Sequence, residues 1–442
     1  MAQPGKLLGV RDAVALMVGM VVGIGVFKVP ALVALRLDDP LVIIGLWGLG
    51  ALIVLVGALC YAELASTHPD AGGEYHFLAL AFGPGFAFLF GWARLVVVQT
   101  GAIAAVAFVF GDYAQRLMHL GPFGASIYAA LAVIGLTTLN IRGTRLSAYV
   151  QDGLAATLVT AVACAAIAGF IIGPADIAGA VAPAPGPATS AAGIGFAMIF
   201  VMLTYGGWNE AAYLSAELKD VRRNMVRAML IATAVVAGLY VAMNAAYLYV
   251  LGPAAMRASD AIGADYMRAL AGAPGALVLT VIVLVAAMTT LNATLFTGAR
   301  SAFALGRDTR LFAALGRWDA GAQGPVNAHL VQAVLALALI GLGTATRKGF
   351  ATMVDYTAPV FWFFLLATGL SLFVLRRRPV PEGGFRVPLF PLTPLLFCAS
   401  SAYMLHSALA YTGIGALVGV GAVLLGLPVW WLIRRRAVRG RG

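Results

Sequence analysis

The chain has 442 residues, of which 62% are hydrophobic and only 11% are charged, and its mean hydropathy is +0.93. Soluble domains are about half apolar and about a quarter charged, so this composition excludes a water-soluble globular protein and indicates a chain that lies mostly in lipid. The net charge of +11 would fit a nucleic-acid-binding protein if the basic residues formed one face, but they lie in alternate loops between apolar runs.

A helix that crosses a membrane needs about 20 apolar residues, and Gly and Pro divide this chain into about twelve such runs. The predicted spans are residues 12–35, 41–64, 85–111, 125–141, 147–172, 192–215, 226–252, 274–304, 327–345, 350–375, 388–408 and 412–433. Most Lys and Arg residues fall in the loops on the side of the N-terminus, so the positive-inside rule places both termini in the cytoplasm. We expect a multi-pass protein of the cytoplasmic membrane.

The first and sixth predicted spans carry glycines near their middle. The first contains Gly19, Gly23 and Gly25, and the sixth contains Gly206 and Gly207 after a tyrosine. Small residues in membrane helices often serve close packing. Their occurrence in the first span of each half instead favours a transporter built from two inverted repeats, each opening with a broken helix. The predicted division is 1–172 for the first repeat, 173–191 for an external loop, 192–375 for the second repeat, and 376–442 for two more spans with a basic tail.

Broken helices would leave main-chain groups free inside the membrane, where each one is costly without a partner. The N–H groups of Gly25, Val26 and Phe27 would open the second half-helix and favour a carboxylate. Carbonyl groups around Val22 and Leu203 would face an ammonium group. A zwitterionic amino acid therefore matches the two breaks without charged side chains. The predicted substrate-binding residues are Val22, Gly23, Ile24, Gly25, Val26, Phe27, Leu203, Thr204, Tyr205, Gly206 and Gly207.

Two connecting segments have distinctive composition. Residues 65–83 are too polar to span a membrane and too apolar for free coil, which predicts an interfacial amphipathic helix. Residues 173–190 are rich in Pro, Gly and Ala and predict an external loop. The three cysteines lie within apolar runs, so we expect neither a disulfide nor a metal site. The acidic residues are scattered singly, which predicts no enzyme active site and no cofactor.

Four segments resemble a known family: GIGVFKVPA at the first break, AGGEYHFLALAFGPGFAFLFGW at 71–92, YGGWNEAAYLSAELKDVRRNMVRA at 205–228, and FRVPLFPLTPLLF at 385–397. They are similar to the amino acid–polyamine–organocation (APC) superfamily, and within it to bacterial relatives of the L-type amino acid transporters. The resemblance implies an all-α membrane protein of twelve helices with the LeuT-type five-plus-five inverted repeat. It also implies discontinuous helices 1 and 6 and transport by alternating access.

The chain departs from the family pattern at three places. Leu158 stands where many relatives have a lysine in the fifth span, and Leu203 stands where an aromatic gate residue is common. No cysteine lies in the external loop near Arg116, so a disulfide-linked accessory subunit is not expected.

Three charged residues fall inside predicted spans or close to the breaks. Lys28 either has a functional role, in which it replaces the missing fifth-span amine or attracts a carboxylate, or extends its ammonium group to the outer surface. Glu210 either carries a proton or is a carboxylate paired with Lys28 or Arg94, or is wetted by the vestibule. We expect Arg94 to be either the structural partner of a carboxylate or a side chain that extends to the cytoplasmic surface, and not a substrate contact.

Thr289 and Thr290 resemble the hydroxyl side of the sodium site in sodium-coupled relatives, although threonines in membrane helices usually bond to their own preceding turn. The sequence thus predicts a secondary active transporter for a small neutral amino acid, working as a proton symporter or an exchanger. The alternatives are a sodium-coupled carrier and a polyamine or organic-cation carrier of the same fold. An ion channel would need charge rings or repeated carbonyl loops, which the sequence does not show.

Overall fold

The structure is a computed structural model that describes residues 5–174, 190–259, 261–346, 349–378, 384–412 and 414–439. In these ranges the chain is helical, and extended pairing is limited to two isolated bridges. Ten of the described helices are long and apolar enough to cross a membrane. The all-α membrane fold predicted from the sequence is confirmed. The external loop predicted at 173–190 falls largely outside the described residues.

The first span is broken into three pieces. Helix α1 covers Val10–Val21, a 3₁₀ turn covers Ile24–Phe27, and helix α2 covers Val29–Ala34. Gly23 is extended between α1 and the turn, and Pro30 lies in the first turn of α2, where a missing N–H costs no hydrogen bond. The second half of this span is therefore a turn plus a short helix, and not the single half-helix expected from the sequence.

The next five helices are α3 (Pro40–Thr67), α4 (Glu74–Phe82), α5 (Pro84–Leu117), α6 (Gly124–Arg142) and α7 (Thr144–Ile172). Helix α4 lies within the segment expected to be an interfacial amphipathic helix, but that expectation is wrong for its polar side. Glu74 is buried there because it bonds to interior partners. Helix α5 contains a π-helical stretch, Arg94–Val98.

The sixth span is also broken. Helix α8 covers Ala191–Thr204, and a 3₁₀ segment, Trp208–Leu214, follows the break. The next helices are α9 (Val221–Val250), α10 (Gly252–Ala258) and α11 (Ile262–Asp308). Gly272, with a φ of 63°, bends α11 just before Pro274. The membrane-crossing part of α11 thus begins close to the predicted start of the eighth span.

The last helices are α12 (Val326–Thr346), α13 (Gly349–Leu375), α14 (Leu392–Thr412), α15 (Ile414–Leu424) and α16 (Gly426–Arg439). Helices α15 and α16 divide the predicted twelfth span at its middle. Large apolar side chains such as Leu41 and Ile171 are exposed on the outer surface, where lipid would cover them. Helix α1 contacts α7, α9, α11 and the 3₁₀ segment, so the first break lies inside the bundle.

Candidate functional site

The two helix breaks approach each other at glycines where an added side chain would collide with the facing chain. A β-carbon on Gly25 would lie 2.8 Å from Cγ2 of Thr204. Gly207 has a φ of 109°, and a β-carbon there would lie 2.7 Å from Cγ of Met20. Residues 20–25 and 204–207 therefore pack directly together, because these glycines leave room for the facing chain.

The main-chain donors that the first break leaves without a partner in its turn share only Gly25 with the predicted set. A 3₁₀ helix bonds each N–H to the carbonyl three residues earlier, so the turn Ile24–Phe27 commits the N–H groups of Val26 and Phe27. The N–H groups without a partner inside the turn are those of Ile24 and Gly25. The predicted set of Gly25, Val26 and Phe27 is corrected accordingly, because the turn begins at Ile24.

The main-chain acceptors at the breaks are already partly engaged. The carbonyl oxygen of Leu203 accepts a bond from the N–H of Gly206 at 3.2 Å, and that of Val21 accepts one from Gly23 at 2.8 Å. A carbonyl oxygen has two lone pairs. That of Val21 also accepts from the Tyr240 hydroxyl at 2.7 Å, so both of its lone pairs are engaged and it has no capacity left for a ligand donor. The side chain of Leu203 is 49% exposed, whereas that of Tyr205 is buried.

Sequence reasoning missed Tyr240, which bridges the two breaks from α9. Its hydroxyl lies 2.7 Å from the carbonyl oxygen of Val21 and 3.2 Å from that of Thr204. Its ring packs against Tyr205 and Trp47, and the Tyr205 hydroxyl donates to the Trp47 carbonyl at 3.1 Å. The one available signal was a tyrosine inside an apolar run, because a buried phenol usually finds a hydrogen-bond partner.

The two threonines of the possible sodium site have different partners. The Thr290 hydroxyl donates to the carbonyl oxygen of Gly19 in α1 at 2.9 Å. The Thr289 hydroxyl donates to Val285 in its own preceding turn at 2.6 Å. Leu158 is buried in α7. Of these two threonines, only Thr290 bonds to α1 through its hydroxyl, and a sodium site remains a prediction.

The charged candidates separate into an exposed residue and a buried cluster. Lys28 is exposed at the junction between the 3₁₀ turn and α2. Glu210 is buried and accepts a hydrogen bond from Arg94, one of the two cations considered as its partner. Arg94 also lies 3.5 Å from Glu74. The expectation that Arg94 is a structural partner of a carboxylate agrees with this geometry.

Two cavities adjoin the breaks. One is lined by residues of α1, α3, α9 and the second break. The other lies among α3, α8, α13, α14 and the second break and is almost wholly apolar. Its lining includes Gly206, Trp208, Phe361, Leu365 and Ser401. The Ser401 hydroxyl has no hydrogen-bond partner among the described residues. An apolar cavity with one free hydroxyl suits the uncharged side chain of an amino acid ligand.

Family comparison agrees with this architecture. A model of the amino acid permease family matches residues 8–433. The chain belongs to this family, within the APC superfamily. The resemblance drawn from the four sequence segments is therefore confirmed, as is a permease with multiple membrane-crossing helices.

Three relatives of this permease show the range of similarity. It is 27% identical to the mouse b(0,+)-type amino acid transporter 1, covering 90% of this chain and 82% of the relative. It is 26% identical to the serine/threonine exchanger SteT of Bacillus subtilis (strain 168), over 98% of this chain and 97% of the exchanger. It is 28% identical to the human large neutral amino acids transporter small subunit 2, over 97% of this chain and 80% of the relative. These relatives are amino acid transporters, which supports amino acid transport in general.

The third relative carries a name that describes one subunit of an assembly. For this chain, the absence of a disulfide-linked accessory subunit stays a prediction. The orientation with both termini in the cytoplasm also stays a prediction.

Proposed function

We propose that this permease is a secondary active transporter that carries a small neutral amino acid across the cytoplasmic membrane by alternating access. The observation that carries the proposal is the direct contact between the two helix breaks, through Gly25 and Thr204. Free N–H groups at Ile24 and Gly25 face toward a carboxylate in this scheme, and carbonyl groups of Val22 and Thr204 toward an ammonium group. The apolar cavity beside Gly206 supports a neutral substituent.

A polyamine or organic-cation carrier is a weaker fit. Such a ligand needs carboxylates that are free to meet its extra amines, and Glu210 already bonds to Arg94. The neutral amino acid remains the preferred substrate class.

The proposal is tested by a thermal-shift screen of the purified protein against the standard amino acids. A ligand that binds only the folded form at about 100 times its Kd stabilises that form by about 2.7 kcal/mol. Amino acids that raise the unfolding temperature are then tested for counterflow in proteoliposomes. The proposal fails if no amino acid supports counterflow of a labelled molecule of its own kind.

Sodium coupling is the second candidate, supported by Thr290 beside the first break and by Leu158 in place of the family lysine. Initial uptake is measured with sodium replaced by potassium under equal ionic strength. The hydroxyls of Thr289 and Thr290 donate to main-chain carbonyls and keep lone pairs that could bind sodium, so these bonds do not decide the question. Unchanged uptake would reject this candidate. Uptake that depends on sodium would favour the sodium site instead.

A further inference from the structure

Two glutamates and one arginine meet inside the bundle, so one negative charge has no partner if both carboxyl groups are ionised. Nη2 of Arg94 donates to Oε2 of Glu210, and Nη1 lies 3.5 Å from Oε2 of Glu74. All three side chains are buried. In the described part of the chain, no second cationic side chain lies within ion-pair distance of either carboxyl group. We name this the Glu74–Arg94–Glu210 cluster.

In the described part of the chain, two other buried glutamates, Glu217 and Glu63, each pair with one arginine. Arg300 donates through Nε and Nη2 to both carboxylate oxygens of Glu217. Arg376 donates to both oxygens of Glu63, at 2.7 and 2.9 Å. Each of these carboxylates is therefore paired with one guanidinium group. A buried, unpaired charge is costly, so the surplus carboxyl group of the cluster favours the protonated form.

The hydrogen bonds around Glu74 can accommodate a proton. Its Oε1 accepts from the Tyr61 hydroxyl and from Nδ2 of Asn209 at 3.1 Å, and its Oε2 accepts from the Tyr213 hydroxyl at 2.7 Å. Hydroxyl groups accept as well as donate. A protonated Glu74 can therefore donate to a tyrosine oxygen, while an ionised Glu74 accepts from the same groups.

The remaining elements packed around Glu74 supply no compensating cation. From α13, Thr368 lies beside Tyr61 and is uncharged. From α11, Arg307 pairs with Asp70, at 2.8 Å. Glu74 lies outside the membrane-crossing helices, and burial is the largest influence on its pKa and raises it. The neighbouring guanidinium lowers that pKa, the neighbouring Glu210 carboxylate raises it, and the hydrogen bonds from the Tyr61 and Tyr213 hydroxyls lower it.

The cluster joins elements of irregular geometry. Asn209, Glu210 and Tyr213 belong to the 3₁₀ segment after the second break, and Arg94 begins the π-helical stretch of α5. Such segments often mark hinges and functional sites. If residues 208–214 withdraw from α5, Arg94 is left with Glu74 alone. The pair is then balanced without a proton.

Two separate cavities with shared lining residues lie between the cluster and the second break. Glu74 and Arg94 line one of them together with Phe361 and Leu365. The same Phe361 and Leu365 line the apolar cavity that reaches Gly206. Two apolar side chains thus separate the cluster from the proposed substrate site.

We propose that the Glu74–Arg94–Glu210 cluster carries one exchangeable proton on Glu74 and releases it when residues 208–214 move away from Arg94. The inference rests on the proposed amino acid transport and names the proton as the coupled ion. The proton comes from water on one side, binds the Glu74 carboxylate, and returns to water on the other side, which regenerates the carboxylate. While Glu74 holds the proton, Glu210 is the ion-pair partner of Arg94.

The experiment uses full-length protein in proteoliposomes and an amino acid that supports counterflow. A one-unit pH gradient should raise the accumulation ratio of wild-type protein about tenfold if one proton moves with each solute. Glu74→Gln removes the proton site, and Glu210→Gln leaves one carboxylate for one guanidinium. Both variants should keep counterflow and lose the response to the gradient. The matched control is Glu63→Gln, a buried carboxylate with its own arginine, which should keep the response.

Absence of counterflow in the wild type would reject amino acid transport itself. Counterflow without any response of the wild type to a pH gradient would overturn the proton proposal alone. A normal response to the pH gradient in the folded Glu74→Gln or Glu210→Gln variant would also overturn the proton proposal. If neither variant folds, infrared spectroscopy of the wild type in detergent at neutral pH decides. The C=O band of a protonated carboxylic acid supports the proposal, and its absence overturns it.

Discussion

The hydroxyl of Tyr240 lies 2.7 Å from the carbonyl oxygen of Val21, at the end of the first half of a broken helix. The same hydroxyl is 3.2 Å from the carbonyl of Thr204, where the second broken helix stops. One side chain of α9 thus joins both interruptions. This contact provides a direct test of whether main-chain groups at the breaks govern folding and binding.

Tyr240→Phe should destabilise the protein by about 1–3 kcal/mol, because it removes the donor that meets two buried carbonyl groups. We also expect a higher Michaelis constant, since the carbonyls would lose their fixed positions. Thermal unfolding and concentration-dependent uptake measure the two effects. The matched control is Tyr247→Phe in the same helix, whose buried hydroxyl has no partner among the described residues. Equal destabilisation by both substitutions would contradict a specific role for Tyr240.

Gly25→Ala should force the two breaks apart, since the new methyl group would lie 2.8 Å from Cγ2 of Thr204. Overpacking of this kind costs about 1–3 kcal/mol. Counterflow and thermal unfolding should both decline. Thr204→Ser removes Cγ2 and keeps the hydroxyl, so the double variant should recover part of the loss. Gly45→Ala, which meets nothing within 4 Å, is the control. No recovery in the double variant would show that Thr204 is not the obstacle.

Glu217→Gln should cost about 3–5 kcal/mol, because it leaves the charge of Arg300 buried without its partner. Both side chains are fully buried and joined by two hydrogen bonds. The comparison variant is Asp265→Asn, whose partner Arg268 is 62% exposed. That surface pair contributes less than about 1 kcal/mol. Unfolding curves for the two variants should therefore differ clearly, and similar curves would refute the assigned importance of the buried pair.

Lys28→Met should leave the Michaelis constant and the pH profile of uptake unchanged. The side chain is exposed, and no ion pair in the described residues includes it. Uptake into proteoliposomes at several pH values provides the measurement. A raised Michaelis constant would instead support the other interpretation, in which Lys28 replaces the missing fifth-span amine or attracts a carboxylate.

Local sequence patterns were sufficient to predict the helices and the positions of both breaks. Runs of about 20 apolar residues define spans because lipid offers no partner for main-chain groups. Glycines at 23, 25, 206 and 207 mark where the helices stop, since their backbones reach conformations and close contacts that other residues resist. The pattern did not define the turn register, and the first free N–H groups proved to be those of Ile24 and Gly25.

The identity of the polar partners was decided by tertiary structure alone. Tyr240 is 36 positions from Thr204 and 219 from Val21, and Arg94 is 116 positions from Glu210. No local pattern encodes such pairings, because hydrogen bonds and ion pairs depend on where whole helices lie relative to one another. Composition and periodicity thus determined a membrane-embedded bundle with two interrupted helices. The packing of that bundle decided that Glu210 meets Arg94, that Glu74 joins them, and that one phenol holds both breaks.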